Sequence, residues 1–229
     1  MIGQVNTLTL LDYPGKTAAT VFISGCNFRC PFCYNGSLAE DRLPADEQHT
    51  VASVLAFLKA RQGLLDGVCI SGGEALLWDD LPAFIRSVKT MGYAVKLDTN
   101  GSFPERLRAL LSEGLLDYVA MDVKNDPMHY AETVGLATVD LAAIQESMTL
   151  LKDSGLPFEF RTTVVKEFHT PDRLLSLARW IGPVQRYFLQ TFKDEGDLLQ
   201  AGLHSLSEKE MEACLTAVRT VCPRAERRG

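Results

Sequence analysis

Apolar residues recur along this chain with two alternating periods. Val51, Val54, Leu55 and Leu58 share one helical face, and Gly63 stops that helix. Gly67 to Ser71 then reads as a short buried strand. The pair of signals returns with the helical face Leu81, Phe84, Ile85 and Val88, the stop Gly92, and a strand from Tyr93 to Asp98. It returns again with Leu107, Leu110 and Leu111, Gly114, and a strand from Asp117 to Val123. Leu141, Ile144, Met148 and Leu151 precede Gly155 and a strand from Phe158 to Val165. Thr170-Pro171 pairs an N-cap with proline at the first helical position. The face Leu174, Leu177, Ala178 and Ile181 follows, then Gly182 and a strand from Gln185 to Thr191. Ser207-x-x-Glu210 is a capping box that opens a last helix, with Met211, Leu215 and Val218 inward.

Ahead of this rhythm, Ala18 to Ser24 is an apolar, β-branched run that reads as the first core strand. Residues 1–17 carry the turn signal Tyr13-Pro14-Gly15 and predict a short strand or hairpin before the core. Residues 36–49 are polar and read as a surface loop, and the Arg-rich tail from Pro223 to Gly229 reads as frayed. Six strands alternating with helices imply parallel strands joined by right-handed crossovers. The expected fold class is α/β: a partial (β/α)6 TIM-like barrel, open on one side, since six units cannot close an eight-stranded barrel. The whole of 1–229 reads as one domain, with 1–17 as an extension, 18–191 as the barrel and 192–229 as a C-terminal loop and helix.

Composition narrows the class. The chain has 229 residues, 46% of them hydrophobic and 23% charged, as expected of a globular protein. A net charge of −6 argues against a broad basic surface for nucleic acid. The longest N-terminal apolar run is too short to span a bilayer and lacks a signal-like charged region. A cytoplasmic setting is the expectation, where clustered cysteines read as metal ligands and not disulfides.

The candidate chemistry starts at Cys26-x3-Cys30-x2-Cys33, directly after the first core strand. Zinc wants four ligands, as does a closed ferredoxin-type cluster, and no fourth cysteine or histidine follows at a short interval. Three thiolates in one loop suit a [4Fe–4S] cluster with one iron left open; the bland alternatives are buried thiols or a partial zinc site. Other polar motifs fall where the remaining strands end: Ser71-Gly72-Gly73-Glu74, Asp98-Thr99-Asn100-Gly101, Met121-Asp122-Val123-Lys124, Arg161 with Thr163, and Gln190. Barrels of this kind place their chemistry at those ends. Cys69 reads as a core thiol, Cys214 and Cys222 as isolated residues of the last helix, and no histidine draws a role.

The cysteine run, with Phe32 just before the third cysteine, resembles the signature of the radical S-adenosylmethionine (SAM) enzymes. The fuller set Leu11-Asp12-Tyr13-Pro14-Gly15-Lys16, Val21-Phe22 and Gly25 to Cys33 resembles the glycyl radical enzyme activases, in particular the anaerobic ribonucleoside-triphosphate reductase activating proteins. Two positions depart from the pattern: Ala75 stands where proline is usual, and Tyr34 where histidine is common.

The resemblance implies a [4Fe–4S] cluster on Cys26, Cys30 and Cys33 and a bound SAM. It implies that Gly72, Gly73 and Glu74 hold the SAM amino group, Lys124 and Arg161 its carboxylate, and Phe32, Thr163 and Gln190 its adenosine. It also implies a monovalent cation (Na+ or K+) on Asp98, Thr99, Asp122 and the backbone oxygen of Val123. No residue is expected as a general acid or base. The implied activity is reductive cleavage of SAM, with electrons from a flavodoxin- or ferredoxin-like donor. The implied substrate is a glycine of a partner glycyl radical enzyme, such as anaerobic ribonucleotide reductase. Two alternatives stay open: a radical SAM enzyme acting on a small molecule, and a non-catalytic iron–sulfur carrier or sensor. Neither nucleic acid nor membrane is expected as a partner.

Overall fold

The six parallel strands predicted from the apolar runs all form. In the computed structural model, which describes residues 2–229, they are β2 (Ala18–Ile23), β3 (Gly67–Gly72), β4 (Ala94–Thr99), β5 (Tyr118–Asp122), β6 (Phe158–Val164) and β7 (Tyr187–Thr191). Each pairs in parallel with the next. The predicted N-terminal hairpin is β1 (Ile2–Thr9), antiparallel to β2. A short β8 (Glu226–Arg228) runs parallel to β7. The spatial order of the strands is their sequence order from β1 to β8, and the ends are not joined. The sheet is therefore an open partial barrel.

Local chemistry sets the crossover helices, at Thr170 and Ser207 through the predicted caps and elsewhere through caps the sequence reading did not name. Thr50, Asp140, Thr170 and Ser207 accept backbone N–H groups at the starts of Val51–Ala60, Leu141–Asp153, Pro171–Ile181 and Glu208–Arg219, the last through a full capping box. Helices Leu81–Thr90 and Pro104–Ser112 carry proline in the first turn. Their apolar faces meet the outward residues of the strands, including Ile70, Val95, Leu97, Val119, Phe160 and Leu189, in one buried cluster. Successive strand residues point to opposite faces. The partners of those outward residues, among them Lys96, Asp98, Asp122, Glu159 and Arg161, therefore face the barrel interior.

Two segments differ from expectation. Residues 36–49 are not plain surface loop. Gly36–Ala39 forms a one-turn helix with Leu38 and Ala39 buried, because their carbonyls accept the N–H groups of Gly25 and Cys26. The tail is not frayed: Arg228 pairs with the buried Glu159 at 2.7 and 3.1 Å and lies 3.6 Å over the Phe188 ring, which fixes β8. The helix Glu208–Arg219 also ends before Cys222, which is buried in the turn beyond it.

Candidate active site

The loop after β2 is built to present sulfur. Gly25 takes φ +89°, a conformation that only glycine adopts freely, and turns the chain out of the strand. Its N–H donates to Leu38 O at 2.9 Å, and that of Cys26 donates to Ala39 O at 3.0 Å. Farther along, Arg29 N–H donates to Val134 O and Cys33 N–H to Cys30 O. The end of β3 locks against this loop. Gly73 N–H donates to Ile23 O, and Glu74 N–H donates to Gly25 O, both at 2.9 Å. A Cβ on Gly72 or Gly73 would collide with the backbone of Ile23 or Gly25, so this contact requires glycine at both positions.

A cavity of about 850 Å³ opens at the C-terminal ends of the strands. Cys26, Cys30 and Cys33 line it together with Phe32, Gly72, Gly73, Asp98, Thr99, Asp122, Lys124, Arg161, Thr163 and Gln190. These are the predicted rim residues, drawn from six strands onto one space. Phe32 is buried against Phe168, with ring centroids 5.8 Å apart. Burial pushes the Cys26 thiol up to about 11 and Cys30 up to about 12, and raises Cys33.

Charge at the rim is dense and paired. Asp98 accepts from Ser71 Oγ at 3.0 Å, from Arg161 at 3.4 Å, and from Lys96. Asp122 accepts from Arg161 Nε at 2.8 Å and Lys124 Nζ at 3.0 Å. Burial opposes ionisation of both carboxyls, but Arg161 outweighs it, aided by Lys96 at Asp98 and Lys124 at Asp122. Both are held below the usual carboxylate range. Burial likewise pulls Lys124 down, and Asp122 overrides it, holding the ammonium above its ordinary value. Three basic side chains, Lys96, Lys124 and Arg161, thus face the two carboxylates Asp98 and Asp122.

Two predicted contacts are corrected. The Glu74 carboxylate is fully buried and does not line the cavity. It accepts from Leu76 N–H at 3.1 Å, Thr99 Oγ1 at 2.8 Å and Asn100 N–H at 2.6 Å, tying β3 to β4; burial raises it to about 7. What this motif offers the cavity is Gly72 and Gly73. The Val123 carbonyl is also turned away: it accepts Thr162 Oγ1 at 2.6 Å, and Val123 is buried outside the cavity.

Lys96 and His169 beside the site carry no sequence motif, and Tyr34 gains its contacts only in the fold. Lys96 lies in the barrel interior, 1% exposed, with Nζ 3.7 Å from Cys69 Sγ. The buried His169 accepts Val165 N–H at Nδ1 (3.0 Å), so Nε2 carries the proton and donates to Lys124 O at 2.9 Å. Burial lowers it to about 4, so the ring is neutral. Tyr34, in place of histidine, stacks on Phe192 and accepts Lys193 N–H at 2.9 Å. Its carbonyl accepts Asp197 N–H, and Gln200 N–H reaches Pro31 O, so the segment after β7 clasps the cysteine loop.

The profile of the radical SAM superfamily matches residues 20–181, which include the cysteine loop and the first five parallel strands. The chain belongs to the radical SAM superfamily. A Methanocaldococcus jannaschii protein with the provisional name of glycyl-radical enzyme activating enzyme is 31% identical over 198 residues, covering 84% of this chain and 80% of that one. A protein named as a GTP 3′,8-cyclase in Halobacterium salinarum is 36% identical over 140 residues, 57% of this chain but only 37% of its own. The fold resembles Streptococcus suis SuiB bound to S-adenosylmethionine, with a TM-score of 0.65, 10% identity, and coverage of 92% of this chain and 52% of that one.

Membership in the radical SAM superfamily implies a [4Fe–4S] cluster and SAM, and the residues present fit both. The three cysteines line the same cavity. Among the described residues no three side chains converge on a single metal-ion position. Thiolates that each hold a different iron of a cluster need not converge. Close backbone at Gly72–Gly73, cations at Lys124 and Arg161, and the aromatic Phe32 suit the ammonium, carboxylate and base of SAM. No helix among the described residues is long and apolar enough to cross a membrane.

Proposed function

We propose that this radical SAM protein is a glycyl radical enzyme activase, with an anaerobic ribonucleoside-triphosphate reductase as its partner. The observation that carries the reading is the meeting of the three cysteines, the Gly72–Gly73 backbone and the Lys124–Arg161 cations in one cavity. A [4Fe–4S] cluster held by Cys26, Cys30 and Cys33 would supply one-electron reductive cleavage of the sulfonium C–S bond of SAM, the source of methionine and a 5′-deoxyadenosyl radical. The hydrogen atom removed would be that of a glycine Cα of the partner, so the radical would rest on the partner and 5′-deoxyadenosine would be released. The electron comes from a flavodoxin- or ferredoxin-like donor.

This chain's own part is positioning. Lys124 and Arg161 orient the SAM carboxylate, Gly72 and Gly73 admit its amino group, and Phe32, Thr163 and Gln190 border the adenosine. A macromolecular substrate is supported by the open barrel side and by Leu10 and Leu11, which are 70% and 89% exposed, Leu11 at the cavity wall. The similarity to a GTP 3′,8-cyclase favours a second reading, a radical SAM enzyme acting on a small molecule.

The test is anaerobic reconstitution, reduction, and assay with the candidate reductase. The activase reading predicts 5′-deoxyadenosine release and a glycyl doublet in the electron paramagnetic resonance (EPR) spectrum of the partner. Release without a doublet on any glycyl radical enzyme turns the assignment to the small-molecule reading. No release above background with the partner present overturns the activase reading.

A further inference from the structure

The resemblance to activases implies a monovalent metal ion on Asp98, Thr99, Asp122 and the Val123 carbonyl, and the residues present do not fit one. Val123 O accepts Thr162 Oγ1 in a buried pair away from the cavity, and Thr99 Oγ1 both donates to Glu74 and accepts Gly101 N–H. Asp98 already holds Lys96 and Arg161, and Asp122 holds Arg161 and Lys124. Two carboxylates thus face three fixed cations inside a buried site. A sodium or potassium ion would have to displace one of these partners or sit beside them, and like charges at such range in a low-dielectric interior repel strongly.

We infer that Lys96 is the built-in cation of this site: its ammonium takes the place of a diffusible metal ion on Asp98, so the SAM seat works without sodium or potassium. Lys96 is suited to this by its place in the strand. It sits two residues before Asp98 on the same inward face of β4, so its stem rises through the barrel and its head reaches the carboxylate from below. The arrangement leaves the cavity side of Asp98 to Ser71 and Arg161. An ammonium on a tethered stem has no concentration dependence and cannot be exchanged for a larger ion. Lys96 therefore acts as a positioning residue, fixing the Asp98 carboxylate against Arg161, which is shared with Asp122. The inference rests on the reading of this rim as the SAM seat.

The experiment is equilibrium SAM binding to the reconstituted full chain at constant ionic strength, with potassium chloride, sodium chloride or tetramethylammonium chloride as the salt. Wild-type affinity should agree within about twofold in all three, whereas Lys96→Ala should bind about tenfold more weakly in tetramethylammonium and recover most of that in potassium. A merely structural lysine would give no such cation-specific recovery. Wild-type binding that weakens about tenfold when both alkali ions are withdrawn would overturn the inference. Should Lys96→Ala fail to fold, thallium(I) magnetic resonance on the wild-type protein decides alone: the inference predicts no bound thallium, and a bound signal displaced by potassium contradicts it. Wild-type protein that binds no SAM in any salt overturns the SAM reading itself, and the thallium measurement still settles the cation.

Discussion

The two faces of β4, β5 and β6 obey different rules. Outward, Val95, Leu97, Val119, Met121, Phe160 and Val164 are fully buried beneath the helices. Inward, the same strands carry Lys96, Asp98, Asp122, Glu159 and Arg161, also buried or half-buried, in a ladder of ion pairs. Strands of an all-parallel sheet usually read as continuous apolar runs because both faces are covered by apolar packing. Here one face packs against helices and the other lines a site. The outward face stabilises the fold through area removed from water. The inward face is held by pairing of charges, which adds little net stability and fixes geometry instead.

Substitutions can break that contrast. The largest effect is expected at the cavity wall: Cys30→Ala should abolish cluster assembly and 5′-deoxyadenosine release while leaving the far-ultraviolet circular dichroism intact, since the outward core is untouched. Arg161→Met comes next. It leaves the buried Asp98 and Asp122 short of a shared cation and should destabilise by about 3–5 kcal/mol in urea unfolding, besides weakening SAM binding. A Met as stable as Arg would mean that the inward face is ordinary core.

His169 gives a pH-dependent version of the same test. Its folded value of about 4 lies below an unfolded value near 6.5. The unfolded chain thus binds more protons between those limits, and stability falls as pH drops from about 6.5 to about 4. The full loss is about 3 kcal/mol. His169→Gln should be less stable at pH 7.5 and should lack this acid-dependent part, measured as urea midpoints at pH 5 and pH 7.5. Arg228→Ala should cost about 2 kcal/mol by stranding Glu159, less than a fully buried pair because Arg228 is 37% exposed. Smallest of all, Arg108→Ala removes the exposed pair with Glu146 and should shift stability by under about 0.5 kcal/mol.

Much of the architecture was legible in the chain because strand runs, helical faces and glycine stops are local signals. The cysteine loop, Gly72, Gly73, Asp98, Asp122 and Lys124 were legible because they lie at or just beyond strand ends, and Arg161 because it is a lone cation within an apolar strand. Lys96 bears the same mark as Arg161, a charged residue in a largely apolar strand, but lies two residues below the strand end where the other motifs gather. Glu74 misled for a different reason. Sequence places a carboxylate beside the glycines but cannot say which way it points, and the N–H of Asn100, 26 residues away, turns it inward. The tail looked solvated because its arginines are obvious and the buried Glu159 that needs one, 69 residues earlier, is not.

The central claim is that the three thiolates leave one iron free and the polar inner face seats SAM against it. EPR of the reduced cluster with and without SAM tests this most directly. The account predicts a clear change in the cluster signal when SAM is added, reduced by Arg161→Met. A reduced cluster whose spectrum ignores SAM would contradict it.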